Sequence, residues 1–178
     1  MDIGIGGKSP FTCETMHNPG FMIRRLHQIY VALFADETMG LEITPVQLSV
    51  LRAISKQAGR DQSAIAEEIG VDRATLASVA ARLESGGLIR RAISRRDQRQ
   101  KLLHLTAKGK AALTRMQAPM ARANERILAP LDEAEQELFL SLLAHLVDGG
   151  NEHARAKLKL QFGKDLSLIH ISEPTRPY

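Results

Sequence analysis

Five arginines, Arg73, Arg82, Arg95, Arg96 and Arg99, fall on one short stretch of this chain. A guanidinium is the side chain whose planar fork fits phosphate oxygens and the major-groove edge of guanine. Between Asp72 and Lys110, ten Lys and Arg stand against three acids, a local net charge of +7, while the 178-residue chain carries only +4. The rest of the chain is therefore slightly acidic. A charge run is ordinarily a solvated face. A basic run confined to one structural unit has the distribution that phosphate neutralisation requires. Other chemistry is thinly supplied. The six histidines show no metal-ligand spacing, and the single cysteine, Cys13, has no partner for nucleophilic or disulfide chemistry. Asp132, Glu133 and Glu135 open a helix, where carboxylates are favoured without any catalysis. The expectation is no enzyme, no metal and no cofactor.

The elements that carry the arginines follow from local pattern. Asp72 is an N-cap residue, and Leu76, Val79, Ala80 and Leu83 then recur at helical spacing. The other face carries Arg73, Ala77, Ser78 and Ala81, all small or basic. Gly86-Gly87 ends the helix. Two strand-like runs follow, Leu88–Ile93 and Lys101–Leu105, around a loop Ser94-Arg95-Arg96-Asp97-Gln98-Arg99. A helix with a slim outer face can enter a major groove, and an arginine-tipped hairpin can reach the adjacent minor groove. Upstream, Asp61 to Ile69 reads as a short helix with Ala64, Ile65 and Ile69 inward, stopped by Gly70. Two helices joined by a tight glycine turn form a helix-turn-helix pattern. The expected fold is mainly α with a small β-hairpin wing.

The remaining chain frames this unit. Residues 1–17, with Gly4, Gly6, Gly7 and Pro10, are expected to be a flexible arm. Asn18-Pro19 starts a helix with the stripe Ile23, Leu26, Tyr30, Leu33 and Phe34. Thr44-Pro45-Val46-Gln47 is a capping box opening a second helix through Leu48, Leu51 and Ile54, with Gly59 suiting its end. A long helix after Thr106 carries Leu113, Met116, Met120 and Ile127, with a bend expected at Pro119. A last helix from Asp132 carries Leu138, Phe139, Leu142, Leu143, Leu146 and Val147, closed by Gly149-Gly150. That apolar face is wide for a terminal helix, so part of it is expected to meet another subunit. The reading therefore places a winged-helix unit at about 44–106, dimerisation helices at about 18–38 and 107–150, and an extension at 151–164. The end, 165–178, resembles a translated vector or sequencing-adaptor tail and is set aside.

Bulk numbers agree with a helical globule: 44% hydrophobic residues, 4% aromatic and no Trp. No run approaches the ~20 apolar residues of a membrane span, and the N-terminus has no signal-peptide core, so the cytoplasm is the expected location.

The segments T-P-V-Q-L-S-V-L, A-I-A-E-E-I-G-V, L-E-S-G-G-L-I, D-Q-R and L-H-L-T-A-K-G, spread over about Asn18 to Gly149, resemble the MarR family of bacterial transcription regulators. The resemblance implies a homodimer with interlocked first and last helices and a winged helix-turn-helix lobe on each side. It also implies repression of double-stranded operator DNA, released by a small ligand, often an anionic aromatic, bound between dimerisation and DNA-binding parts. By position, Asp97 and Arg99 match the family's wing D-x-R, the acid holding the wing and Arg99 entering the minor groove. Gln98 departs from the D-R-R of many members. Ser78 stands where some relatives have Arg, which opens the question of which bases are read. The DNA-binding set expected here is Arg73, Ala74, Thr75, Ala77, Ser78, Arg82, Arg95, Arg96, Asp97 and Arg99.

Arg24, Arg25, His27 and Tyr30 lie within two turns of the first helix. Singly, each reads as solvated or core; together with Met116 they could hold a small aromatic carboxylate or its coenzyme A thioester. The segment N-P-G-F-M-I-R-R-L-H-Q-I is similar to relatives in aromatic-acid catabolism. Two alternatives remain: redox sensing through Cys13, and a protein-interaction module without operator specificity.

Overall fold

The computed structural model describes residues 17–94, 98 and 100–158. Six helices and a three-stranded sheet follow in the order α1 (Pro19–Glu37), α2 (Pro45–Lys56), β1 (Arg60–Asp61), α3 (Gln62–Ile69), α4 (Arg73–Ser85), β2 (Ile89–Ile93), β3 (Lys101–Leu105), α5 (Ala107–Leu128) and α6 (Glu133–Gly150). A short 3-10 turn, Asn151–His153, follows α6. The mainly helical fold with a β-hairpin is the one the sequence implies. The Cys13 arm and the 165–178 tail lie outside the described residues.

Helix starts follow side-chain chemistry. Asn18 Oδ1 accepts the Phe21 amide, Thr44 and Gln47 form a reciprocal capping box, and Asp132 with Glu135 forms another. Each satisfies amides that the first helical turn leaves without partners. Glycine serves at α3's end: Gly70, at φ +68°, takes the left-handed cap, and the Val71 amide returns to the Ala66 carbonyl. That turn sets α4 against α3.

The core lies under α2, α3, α4 and the sheet. Leu51, Ile54, Ile65, Leu76, Leu83, Ile89 and Leu103 are almost wholly buried, with Met116 and Phe34 joining from α5 and α1. In α3, Ala66 rather than Ala64 is the buried alanine, while Ile65 lies in the core as expected. The sheet order is β1-β3-β2, all antiparallel, with Arg60 opposite Leu103 and Arg91 opposite Leu103 from the other side. The two-residue β1 was not expected from the sequence. Arg60-Asp61 is too short and polar to show alternation, and Asp61 already reads as the α3 cap.

Two further differences concern helix continuity. Pro119, expected to interrupt as well as bend α5, lies inside a helix that runs without interruption from Ala107 to Leu128. Gly149 and Gly150 are the last residues of α6 rather than its stop. The α1 and α5 helices pack along one another, fastened by Arg122 to Glu37 at 2.6 Å and by Arg126 to Asp36 at 2.5 Å and Glu37 at 2.8 Å. These contacts hold the Glu37 carboxyl below its usual range, through the hydrogen bond from Arg122 first and then that from Arg126.

Candidate nucleic-acid interface

Helix α4 is anchored by one line of side chains and offers the other to solvent. Leu76, Ala80 and Leu83 are buried, whereas Arg73, Ala74, Thr75, Ala77, Ser78, Ala81 and Arg82 are exposed. At 100° per residue, Ala74, Ser78, Ala81 and Ser85 form the line directly opposite the core. All four are small, so nothing holds the helix backbone away from a surface it approaches. Arg73 and Ala77 flank that line on one side, Thr75 and Arg82 on the other. The outer face expected from the sequence is therefore exposed as a unit, although no side chain larger than serine occupies its crest.

The start of α4 is fixed by Asp72. Its Oδ1 accepts the Thr75 amide at 2.8 Å and its Oδ2 accepts the Thr75 hydroxyl at 2.7 Å. The amide bond, followed by the hydroxyl bond, lowers the Asp72 pKa. Thr75 thus helps hold the cap, and its hydroxyl proton is already committed.

The wing is tied to α4 by a contact that charge counting missed. The half-buried Arg91 on β2 sets its Nε 3.3 Å from Glu84 Oε2, as a charge contact rather than an aligned hydrogen bond. Its backbone amide donates to Glu84 Oε1 at 3.2 Å, and its guanidinium reaches the Ala77 carbonyl at 3.4 Å. Arg91 is therefore committed to bracing the hairpin against α4. Part of the local positive charge is internal structure.

The base of the wing is equally specific. The Thr106 hydroxyl donates to the Gly87 carbonyl at 2.7 Å and accepts the Gly109 amide at 3.0 Å, while the Thr106 amide donates to the Leu88 carbonyl at 3.1 Å. A Cβ on Gly109 would lie 2.0 Å from the Leu88 carbonyl oxygen, so only glycine lets α5 approach here. This explains the spacing of Thr and Gly in L-H-L-T-A-K-G. At the far end, the Ser94 amide donates to the Gln100 carbonyl at 3.0 Å, closing the hairpin. The tip residues Arg95, Arg96, Asp97 and Arg99 lie outside the described residues.

The expected effector group is only partly gathered. Arg24, Arg25 and His27 are exposed on α1, with Arg24 5.2 Å from the Phe21 ring centroid and Arg25 3.5 Å from Gln28 Oε1. Tyr30 is half-buried beside Phe34, and Met116 is buried in the core. A cavity of about 340 Å³ lies elsewhere, where α2, α4 and α5 meet, with Arg82, Lys108 and Arg115 around Leu41, Ile43 and Leu88. Sequence periodicity could not show it, because its lining comes from separate segments of the chain.

A helix-turn-helix with a braced hairpin and a small-residue outer face defines a winged-helix protein of the nucleic-acid-binding class. Residues 43–101 match the MarR family. HosA, a transcriptional regulator of Escherichia coli O157:H7, is 33% identical over 135 residues, 75% of this chain and 98% of HosA. The transcriptional repressor CouR, bound to a 23-mer DNA duplex, superposes with a TM-score of 0.71 and 29% identity over 79% of this chain and 99% of that one. Bordetella bronchiseptica BpsR, whose DNA binding is regulated by 6-hydroxynicotinic acid, gives a TM-score of 0.67 and 26% identity over 72% and 98%. The chain belongs to the MarR family of transcriptional regulators.

Among the described residues, no helix is long and apolar enough to cross a membrane.

Proposed function

We propose that this regulator is a homodimeric repressor of a pseudo-palindromic double-stranded operator, released by a small aromatic acid or its coenzyme A thioester. The observation that carries DNA recognition is the exposed outer face of α4. Its crest of Ala74, Ser78 and Ala81 lets the helix sit deep in a major groove. Arg73 and Arg82 on the flanks then meet phosphates or guanine edges, and Ala77 touches a thymine methyl. Thr75 sits at the entry of the helix. At the wing, Arg95 and Arg96 contact phosphates, Arg99 enters the minor groove, and Asp97 shapes the tip. The winged-helix unit is assigned to about 44–106 and dimerisation to about 18–38 and 107–150.

Homodimerisation is supported by α6. None of its residues is buried, and Leu138, Leu140, Leu142, Leu146 and Val147 are each about half exposed or more. On α1, Met22, Ile23, Ile29 and Val31 are uncovered too. Two copies interlocking these helices would remove both apolar surfaces from water and set two α4 helices about one DNA turn, roughly 10 bp, apart.

Effector release is supported by chemistry and by BpsR. 6-Hydroxynicotinic acid is an aromatic carboxylate, the ligand class that Arg24, Arg25 and His27 would hold by charge and Tyr30 by ring contact, with Met116 beneath. Arg24, Arg25 and His27 are exposed in one chain, so a second copy would complete the enclosure. To release DNA the ligand must favour the incompetent state; a hundredfold preference is worth about 2.7 kcal/mol. The test is selection of operator from a random duplex library, followed by a thermal-shift screen of aromatic carboxylates and their thioesters. A duplex without a repeated half-site, or acids that raise the melting temperature without weakening DNA binding, would overturn the corresponding part. Arg99→Ala should lose most operator affinity with unchanged circular dichroism.

A further inference from the structure

The segment after α6 returns to the winged-helix unit. It begins with the 3-10 turn Asn151–His153 and becomes extended at Ala154, at φ −71° and ψ 142°. From there the sequence alternates small or apolar with basic: Ala154, Arg155, Ala156, Lys157, Leu158, and onward in the sequence Lys159 and Leu160. The backbone bends at 154–156, so which side chains are held is set by what they pack against. Ala156 and Leu158 are half-buried, whereas Ala154, Arg155 and Lys157 are exposed.

A reciprocal amide clamp fixes the strap. Asn151 Nδ2 donates to the Leu158 carbonyl at 2.8 Å, and the Leu158 amide donates to Asn151 Oδ1 at 2.8 Å. Leu158 packs on the glycine turn of the helix-turn-helix, where a Cβ on Gly70 would lie 3.3 Å from Leu158 Cδ1. Arg155, Ala156 and Lys157 then border a cavity shared with Ser63, Asp72 and Arg73, beside the N-terminus of α4. Asp72 is engaged first by Thr75, with Arg155 also acting on its carboxylate by charge, and Glu67 borders the same cavity.

We propose that this C-terminal strap is a second DNA-contacting element, docked on the helix-turn-helix so that Arg155 and Lys157 meet the phosphate backbone beside the N-terminal end of α4. The inference rests on the reading of α4 as the DNA-facing helix. Phosphate contacts of this kind fix register and add affinity without reading bases, and each releases counterions. The clamp matters because two basic side chains on a free tail would be placed at an entropic cost that a docked strap has already met.

The experiment measures binding of the full chain to a random-sequence duplex of about 30 base pairs across a salt series, by fluorescence anisotropy. R155A/K157A should flatten the dependence of log K on log salt by about one unit for each phosphate no longer neutralised, with α4 and the fold intact by circular dichroism. N151A/L158S keeps both charges but undocks the strap, and should flatten it in the same direction. An unchanged slope in R155A/K157A overturns the proposal, as does a flattened slope there with a normal one in N151A/L158S, which would mean background charge rather than a positioned contact. No duplex binding by the unaltered chain overturns the DNA-facing reading of α4 together with the strap.

Discussion

The winged-helix unit and the last helix use similar residues to opposite ends. In the unit, Leu48, Leu51, Ile54, Ile65, Leu76 and Leu83 are sealed from water within a single chain. In α6, Leu138, Leu142 and Leu146 recur at helical spacing and stand in solvent, at 57%, 51% and 65% exposure. Leucine periodicity specifies a helix with an apolar face; it does not specify whose surface covers that face. The unit has three helices and a sheet arranged around one point, whereas no residue of α6 is buried. The difference teaches that the lobe is covered by its own chain, while the apolar face of α6 is left uncovered by it, as the proposed homodimer requires.

The strongest way to break that comparison is charge. Leu142→Glu with Leu146→Glu should abolish dimerisation, seen as a monomer by sedimentation, and should cost operator affinity at least about a hundredfold because two half-sites are no longer bound together. The lobe should remain folded. A variant that stays dimeric would mean that α6 is not in the interface.

Truncation sharpens the same contrast. Leu51→Ala, at a wholly buried position, should cost about 2–5 kcal/mol at every protein concentration. Leu142→Ala should cost stability only where the dimer forms, so its effect should fade on dilution. Denaturant melts of both variants at two concentrations check this. Equal, concentration-independent losses would show that α6 is part of the single-chain core.

Within the lobe, Gly109→Ala tests the junction of wing and α5. The added methyl meets the Leu88 carbonyl, a backbone atom that cannot rotate away. The expected loss is about 1–3 kcal/mol, the usual range for overpacking, with the hairpin displaced from α5. A melting temperature equal to that of the parent would refute the tight approach.

The fold was largely legible in the sequence because its signals are local. Asn18-Pro19, Thr44-Pro45, Asp72 and Asp132 all cap helices, and the two runs around the wing form the paired strands β2 and β3. What escaped was long-range or too short to be periodic. The two residues of β1 have no alternation to read. The Arg91–Glu84 brace joins a strand to a helix, so a charge count treats its arginine as available. The α4 face was readable because it lies on one helix. The cavity lined by Arg82, Lys108 and Arg115 was not, and the docking of the strap on Gly70 depends on how α6 returns the chain.

The smallest expected effect concerns the ion cluster beside that lobe core. Glu68 on α3 receives Lys56 Nζ of α2 at 2.8 Å and pairs with Arg60 of β1, whose guanidinium also reaches the Ala53 carbonyl at 3.3 Å. The hydrogen bond from Lys56, with that from Arg60, holds the Glu68 carboxyl below its ordinary 4.5 against the opposing effect of burial. A carboxylate with a depressed folded pKa stabilises the protein above the unfolded value and loses that contribution as pH falls through the folded value. Glu68→Gln should therefore cost about 1 kcal/mol or less at pH 7, since its partner Lys56 is largely exposed and screened, lowering the melting temperature by about 2–4 °C at most. The gap between parent and variant should narrow progressively as pH falls below 4.5 and the parent's Glu68 is neutralised. Raising salt at pH 7 should narrow it as well. A gap that persists undiminished at both low pH and high salt would assign the effect to packing and hydrogen-bond shape rather than to charge. In that case the cluster would resemble the apolar core beneath it, and the contrast between the covered lobe and the uncovered terminal helix would rest on packing alone.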